Sequence, residues 1–276
     1  MLYKEYPQIL AENDTYITDP EKVNHFFNSS LHFYFNAVRI ITYSNRQARK
    51  GVYNDIQWVA SSLDVLFSLE RSGVIHEITG MNNLKGFEGP AVFVGNHMST
   101  LETFVLPSVI NPVKPVLFVI KEELVRFPLF GKVAGARYPI LVGRENPRED
   151  LKIVMEEGSK RLQEGRSIII FPQKTRNKFF DPKGFNSLGV KLAKKNNVPV
   201  IPVAIVSDAW GTGKILKDFG KIDPTKKAHI AIGEPIFISG NGADDHTKTV
   251  DFILDHLKKW GREDLIVNES AQQADD

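Results

Sequence analysis

The chain has 276 residues, a formal net charge of +2 at pH 7 and no cysteine. Its hydrophobic fraction of 42% and charged fraction of 25% are ordinary for a globular protein that is long enough to bury a sizeable core. The lack of cysteine excludes disulfides, thiolate metal sites and cysteine nucleophiles, and the small net charge gives no reason to expect a nucleic-acid partner.

The first residues have neither a leader nor a membrane-spanning pattern. Residues 1–14 mix charges with a proline and lack the apolar centre of a signal peptide. No later stretch approaches the roughly 18 consecutive apolar residues that are needed to cross a bilayer. We therefore expect a cytoplasmic protein.

Two helices are predicted before residue 72, over 19–47 and 54–71. The first is rich in aromatic residues and has arginines towards its end. Its apolar residues at helical spacing are Phe27, Leu31, Tyr34, Phe35, Val38 and Ile41. Two interpretations are open: both helices pack on the core of the protein, or one apolar face with its arginines lies in a membrane interface. The density of phenylalanine favours the interface.

From residue 74 onwards, short apolar runs alternate with helical segments. The runs are 74–78, 91–95, 116–120, 138–142, 167–171, 198–206 and 229–232, and the helical segments include 150–163, 185–195 and 249–260. This alternation predicts an α/β fold in which a mixed, mostly parallel sheet is flanked by helices, after an aromatic-rich helical segment at the amino terminus.

Three regions follow from these patterns. Residues 1–72 are a lead-in with amphipathic helices and a possible membrane interface. Residues 73–262 form the α/β domain. Residues 263–276 form a polar, acidic tail that we expect to be disordered.

The turn after the run 91–95 carries Asn96, His97, Ser99 and Glu102. Histidine can take up a proton near neutral pH, and a carboxylate on its other ring nitrogen orients it. Two residues five apart on an ideal helix point about 140° apart, so this pair meets only if His97 precedes the helix and Glu102 lies in its first turn. The alternative is a simple surface pair.

A second cluster of polar residues follows the run 167–171. Gln173, Lys174, Thr175 and Arg176 lie there, and Lys174, Arg176 and Lys178 give three cations in five residues with a hydroxyl between them. Arginine and lysine are the residues that bind phosphate. Since ligands of such sheets bind at the carboxyl ends of the strands, the cluster predicts an anion clamp beside His97. An exposed basic loop is the alternative.

Four blocks in order resemble the glycerolipid acyltransferase family, whose type member is 1-acylglycerol-3-phosphate acyltransferase. Its Asn-His-x-Ser-x-x-Asp block, here with Glu102 at the last position (the HX4D/E motif), corresponds to 96–102. Its second block ends in an arginine, here Arg144 after 140–143. Its Phe-Pro-Glu-Gly-Thr-Arg block corresponds to 171–176, and a Val-Pro-x-x-Pro run corresponds to 198–202.

This sequence departs from the family pattern at two places. Glu102 replaces the usual aspartate, which keeps the charge on an arm one methylene longer. Gln173 and Lys174 replace Glu-Gly in the third block, so the predicted clamp is two charge units more positive. An anionic acceptor is therefore expected, although it need not be the standard one.

The resemblance implies an O-acyltransferase of phospholipid biosynthesis. A fatty acyl group would move from an acyl-CoA or acyl-carrier-protein thioester to the sn-2 hydroxyl of 1-acylglycerol-3-phosphate, giving phosphatidate. It also implies that no metal, cofactor or covalent intermediate is needed. The implied roles are general base for His97, orientation of the base for Glu102, phosphate binding for Arg144, Lys174, Thr175 and Arg176, and support for Asn96, Ser99 and Gln173.

The implied partners are a lysophospholipid acceptor, the acyl-CoA or acyl carrier protein, and a membrane surface, with the protein peripheral on the inner face of the membrane. Three alternatives stay open. The first is the same chemistry on another lyso-lipid acceptor, the second a non-catalytic lipid-binding protein on this fold, and the third a hydrolase in which water replaces the acceptor.

Overall fold

The computed structural model describes residues 10, 12–24, 28–173, 175–213 and 217–267. The strands are β1 (Tyr16–Ile17), β2 (His76–Thr79), β3 (Val92–Gly95), β4 (Val116–Lys121), β5 (Ile140–Val142), β6 (Ser167–Ile170), β7 (Val200–Val206) and β8 (Ala228–Ile232). The α-helices are α1 (Ser29–Arg49), α2 (Asp55–Arg71), α3 (Leu101–Ile110), α4 (Phe130–Gly135), α5 (Pro147–Gln163), α6 (Leu188–Asn196) and α7 (Ala243–Lys259).

The strands form one sheet in the order β1-β2-β8-β7-β3-β6-β4-β5. Only β1–β2 and β7–β8 are antiparallel among the described strand pairs, and the other pairs are parallel. The predicted mixed, mostly parallel sheet with flanking helices is therefore confirmed. Because β3, β6 and β7 are parallel neighbours, their carboxyl ends meet at one edge of the sheet.

All seven apolar runs of the sequence form strands, β2 to β8. The strand β1, which pairs with β2 through Tyr16 and Ile78, was not predicted from the sequence. The six-residue helix α4 was not predicted either. Elements this short contain less than two periods of a helical or strand pattern, so tertiary contacts decide whether they form.

The helix α3 is mostly buried, with eight of its ten residues largely inaccessible to solvent, and it packs against α2. Leu63 of α2, Phe93 of β3 and Leu101 of α3 belong to one apolar core and are each at most 1% exposed. For α2, the interpretation as a helix packed on the core is therefore confirmed. Residues from both sides of position 72 contribute to this core.

The helix α1 has two apolar faces. Phe33, Ala37 and Ile40 are buried against the rest of the protein. On the other face Phe35 is 64% exposed, together with Leu31 and Val38. Three residues of the apolar stripe identified from the sequence, Leu31, Phe35 and Val38, are thus exposed, and Phe27 lies outside the described residues. None of the described helices is both long enough and apolar enough to cross a membrane.

The packed structure continues beyond residue 262. Glu263–Leu265 form a short 3₁₀ turn, and Leu265 is fully buried. Ile266 pairs with Phe180 in a parallel bridge. The disorder that we expected for 263–276 therefore does not extend to 263–267, because Leu265 contributes to the core. Residues 268–276 lie outside the described part of the chain.

Candidate active site

His97 lies in the turn that leaves β3, and Glu102 lies in the first turn of α3. Nδ1 of His97 is 2.9 Å from Oε1 of Glu102. The Glu102 side chain is fully buried, whereas that of His97 is 13% exposed. The strand-turn-helix geometry expected from the spacing thus brings the two side chains into contact.

The Glu102 carboxylate is held by the turn that it faces. Its Oε1 also accepts hydrogen bonds from the backbone N–H groups of Met98 at 2.6 Å and Ser99 at 2.8 Å. Its Oε2 accepts from the hydroxyl of Ser207 at 2.6 Å. Burial by itself would raise the pKa of Glu102, but the bonds from His97, Ser207 and the backbone outweigh it and lower that pKa. Glu102 is therefore a buried carboxylate that stays ionised.

The imidazole of His97 lies flat on a phenyl ring. Its ring and that of Phe171 are stacked with centroids 4.3 Å apart and an angle of 11° between the planes. When Nδ1–H donates to Glu102, the lone pair on Nε2 of His97 is available to accept a proton. Stacking and hydrogen bonding together fix the ring in one orientation.

Asn96 joins the turn to β7. Its amide donates to the carbonyl of Ile205 at 2.8 Å, and its side-chain oxygen accepts from the N–H of Ile205 at 2.9 Å. Asn96 thereby continues the pairing of β3 with β7 for one more residue. The structure thus places Asn96 where the sequence analysis expected a supporting residue.

Ser99 has a structural position in the same turn. Its hydroxyl lies 3.0 Å from the carbonyl oxygen of Ser207 and 3.2 Å from Oε2 of Glu102, and it accepts from the N–H of Leu101 at 3.0 Å. The residue is 4% exposed. These contacts fit a residue that holds the start of α3 and do not fit an exposed nucleophile.

The loop after β6 is fastened to the His97 turn by two hydrogen bonds. The backbone N–H of His97 donates to Oε1 of Gln173 at 2.6 Å. The backbone N–H of Asn177 donates to the carbonyl of His97 at 2.9 Å. Gln173 therefore supports the turn through its carbonyl oxygen, an acceptor that the family's usual glutamate would also supply.

Arg176 reaches back from this loop to the start of α3. Its guanidinium donates to the hydroxyl of Thr100 and forms an ion pair with Asp218. The Thr100 hydroxyl also lies 3.3 Å from Oδ1 of Asp218. Arg176 is thus near the His97 turn, as expected, but a carboxylate of the same chain is bound to it.

Arg144 follows β5 and has a positive φ of 65°. Both oxygens of Asp150 hold this turn, since they accept from the N–H groups of Gly143 at 3.0 Å and Arg144 at 2.9 Å. Partial desolvation lowers the pKa of Arg144, Asp150 opposes this shift, and the like charge of Arg176 lowers that pKa further.

Two other predicted phosphate ligands are less well defined. Thr175 is exposed on the loop after β6. Lys174 lies outside the described residues, so its predicted role is not tested. Within the described ranges, no group of three or more histidine, aspartate or glutamate side chains could hold a metal ion.

Three residues of this site were missed from the sequence. Ser207 follows β7 and so lies at the same sheet edge as His97, and this position is the signal that could have revealed it. Phe171 was recognised only as part of a block. Asp218 is far from any motif, and nothing in the sequence pairs it with Arg176.

Residues 75–206, which contain the His97 turn and the loop after β6, match the family model Acyltransferase. These residues, a little under half of the chain, are similar to the acyltransferase family. The match confirms the resemblance drawn from the four sequence blocks and assigns β2 to β7 to the acyltransferase domain.

Two relatives of this region carry the same enzyme name. The 1-acyl-sn-glycerol-3-phosphate acyltransferase of Pseudomonas aeruginosa is 34% identical over 133 residues, which are 48% of this chain and 50% of that protein. The protein of the same name from Borreliella burgdorferi is 27% identical, over 51% of this chain and 55% of that protein. The chain thus spans about half the length of these relatives.

A solved structure has the same fold. The crystal structure of the 1-acyl-sn-glycerophosphate (LPA) acyltransferase PlsC from Thermotoga maritima superposes with a TM-score of 0.60 at 19% sequence identity. The superposition covers 84% of this chain and 95% of that one. At this identity the likeness establishes the fold of the acyltransferase domain and its flanking helices, and nothing finer.

Proposed function

We propose that this protein is an O-acyltransferase that moves a fatty acyl group from an acyl-CoA or acyl-carrier-protein thioester to the sn-2 hydroxyl of 1-acylglycerol-3-phosphate, giving phosphatidate. The observation that carries the proposal is the contact between His97 and Glu102, 2.9 Å long, inside a region that matches the acyltransferase family. The names of the relatives support the acceptor.

In the proposed mechanism, Nε2 of His97 takes the proton from the acceptor hydroxyl as the oxygen attacks the thioester carbonyl. Glu102 holds the correct tautomer and stabilises the imidazolium that forms. Its several hydrogen-bond donors keep this carboxylate ionised, so the positive charge on His97 is balanced in a buried site. The thiol leaves with the proton that His97 returns.

No covalent acyl-enzyme is needed in this mechanism. The side chain of Ser99, which the family block also contains, is hydrogen-bonded within the turn and 4% exposed. Direct attack by the acceptor is therefore the simpler path. No metal or cofactor is part of the proposal.

Arg176 and Arg144 would bind the phosphate of the acceptor, with Thr175 and Lys174 beside them. Both guanidinium groups carry a positive charge that attracts a phosphate. Binding there would orient the acceptor hydroxyl towards His97, since Arg176 already contacts Thr100 at the start of α3.

Another lyso-lipid acceptor is the second candidate. One observation favours it: Asp218 neutralises Arg176, so the clamp is less positive than its arginines suggest. A hydrolase would use the same His97–Glu102 pair with water as the acceptor. A non-catalytic lipid-binding protein would have no need for a buried, ionised Glu102.

We further propose that the protein binds peripherally to the inner face of the membrane through α1. Phe35, Leu31 and Val38 form its exposed apolar face, and the guanidinium of Arg39 lies 5.7 Å from the centre of the Phe35 ring. Apolar residues next to a cation suit the headgroup region of an anionic bilayer. Cytoplasmic location is part of this proposal.

The test is transfer of a labelled palmitoyl group from its CoA and carrier-protein thioesters to 1-acylglycerol-3-phosphate. We expect transfer by the wild type and a loss of about 10²- to 10⁴-fold in kcat for His97→Ala. His246→Ala, on α7 and outside the site, is the matched control. Circular dichroism checks that each variant is folded.

Three results would contradict the proposal. A folded wild type that transfers from neither donor would redirect the search to other lyso-lipids. Full activity of His97→Ala would remove its role as base. Release of free palmitate at the same rate with and without acceptor would favour the hydrolase.

A further inference from the structure

Arg176, Thr100 and Asp218 form a closed set of contacts beside the His97 turn. Arg176 donates to the Thr100 hydroxyl and pairs with the Asp218 carboxylate, and that carboxylate also lies 3.3 Å from the Thr100 hydroxyl. Thr100 immediately precedes α3, which carries Glu102. The carboxylate of Asp218 is therefore bound at the position where the phosphate of the acceptor is proposed to bind.

The backbone that carries Asp218 is held by contacts that do not involve its carboxylate. The indole N–H of Trp210 donates to the carbonyl of Asp218 at 3.1 Å. The hydroxyl of Tyr34, on α1, donates to the carbonyl of Gly220 at 2.5 Å. Removal of the carboxylate alone should therefore leave this segment in place.

The ion pair is partly solvated, so another anion can replace it. The Arg176 side chain is 26% exposed and that of Asp218 is 43% exposed. Pairs with this much solvent contact are weak because water screens both charges. A phosphomonoester carries more charge than a carboxylate and has three acceptor oxygens, so it is the stronger partner for a guanidinium and a hydroxyl.

We propose that Asp218 is an internal competitor for the acceptor's phosphate: it occupies Arg176 and Thr100 in the unliganded protein and is displaced when a phosphomonoester binds. This inference rests on the proposed function for the identity of the acceptor. Asp218 then determines specificity, because an acceptor must bind Arg176 and Thr100 more strongly than this carboxylate does.

A binding experiment tests the inference without any transfer reaction. Isothermal titration measures the Kd of sn-glycerol 3-phosphate for the wild type, Asp218→Asn and the charge-matched control Asp251→Asn, which changes an exposed residue of α7. We expect Asp218→Asn to lower Kd by about two- to five-fold, the worth of a solvent-exposed ion pair. Asp251→Asn should leave Kd at the wild-type value.

A further pair of variants separates competition from a general gain in positive charge. In the Arg176→Ala background, Asp218→Asn should no longer improve binding, because the two residues act on each other. Asp218→Ser is measured alongside in case Asp218→Asn does not fold. An unchanged or higher Kd in every folded Asp218 variant would overturn the inference, as would an equal improvement in Asp251→Asn.

Kinetics distinguish failure of this inference from failure of the proposed function. Tighter glycerol 3-phosphate binding by Asp218→Asn in a protein that transfers no acyl group would support the competition and contradict the reaction. Transfer by the wild type with the same KM for 1-acylglycerol-3-phosphate in Asp218→Asn would overturn the competition and leave the reaction in place.

Discussion

The hydroxyl of Ser207 donates a 2.6 Å hydrogen bond to Oε2 of Glu102, and neither side chain is accessible to solvent. The two residues are 105 positions apart in the chain and meet because β3 and β7 are neighbouring parallel strands. Ser207 therefore acts on the candidate base through Glu102: it is a positioning residue.

Replacing Ser207 by alanine should lower kcat about ten-fold. A hydrogen bond to a charged group contributes about 1.5–3 kcal/mol, and we expect part of this loss to weaken the support that Glu102 gives to His97. The donor also helps to lower the pKa of Glu102, so its loss should move the acid limb of the pH–rate profile to higher pH.

The matched control is Ser68→Ala, which removes another fully buried serine hydroxyl, on α2. It should leave both kcat and the acid limb unchanged. If Ser207→Ala lowered thermal stability but left the pH profile in place, Ser207 would be a packing residue only.

Placing a charge on the exposed face of α1 should weaken membrane binding. Phe35→Asp removes an aromatic side chain that is 64% exposed and whose transfer to the interface is worth about 1.5–3 kcal/mol. We expect the partition coefficient onto anionic liposomes to fall at least about ten-fold in a flotation assay.

Phe237→Asp is the control, because Phe237 is 66% exposed but does not lie on α1. It should float like the wild type. Normal flotation of Phe35→Asp would exclude this face as the contact, and equal losses in both variants would point to net charge as the cause.

Acid should destabilise the protein through His76. This residue of β2 is fully buried, and neither ring nitrogen has a hydrogen-bond partner among the described residues. Burial lowers the pKa of His76 from 6.5 to about 3, and the charge of nearby His229 adds to the shift.

Below pH 6.5, His76 is therefore protonated in the unfolded chain but stays neutral in the folded protein. The free energy of unfolding should fall with pH below that value, by about 1.4 kcal/mol per pH unit for this group. The destabilisation from His76 is absent above pH 6.5, and it grows as the pH falls until the pH reaches the pKa of His76 in the folded protein.

Urea unfolding at pH 7 and pH 5 measures this slope. His76→Leu, a substitution of similar volume, should remove about 2 kcal/mol of the loss between these two pH values. An identical loss in the wild type and the variant would assign the acid sensitivity to other groups.

Gly189 of α6 should resist replacement although it lies in a helix. A Cβ at this position would lie 2.4 Å from Cγ2 of Val94, in the strand that leads to His97. Alanine normally stabilises a helix by about 0.5–1 kcal/mol relative to glycine. Here the clash between α6 and β3 should reverse the sign, so Gly189→Ala should cost about 1–3 kcal/mol of unfolding free energy.

Gly86→Ala is the comparison, because the nearest atom to its Cβ would be 3.9 Å away. Chemical denaturation of both variants should show a loss only for Gly189→Ala. Equal stability of Gly189→Ala and the wild type would mean that β3 can shift without cost.

Much of the fold could be predicted because its signals are local. Apolar runs of four to nine residues overlap the strands β2 to β8, since a buried strand must be apolar on both faces. The contact between His97 and Glu102 was also predictable, because five residues of sequence and one turn suffice to bring these side chains together.

The packing of α1 was predicted less well. Helical spacing identifies an apolar stripe but does not say which of two stripes meets the core. Phe33 and Ile40 became buried, while Phe35 and Val38 stayed exposed. Which stripe is buried depends on where α2 and the segment after Trp210 lie, and the spacing of apolar residues in α1 does not predict either position.

The sequence by itself determined the α/β class, the strands β2 to β8, the candidate catalytic block and the resemblance to the acyltransferase family, because each depends on patterns of residues close together in the chain. Only the tertiary structure decided that Ser207 binds Glu102, that Gln173 holds the His97 turn and that Asp218 occupies Arg176. These pairs are between 76 and 105 residues apart or lie on separate loops, and no local pattern records them. They form because parallel strands bring their carboxyl ends, and the loops that follow, to one edge of the sheet.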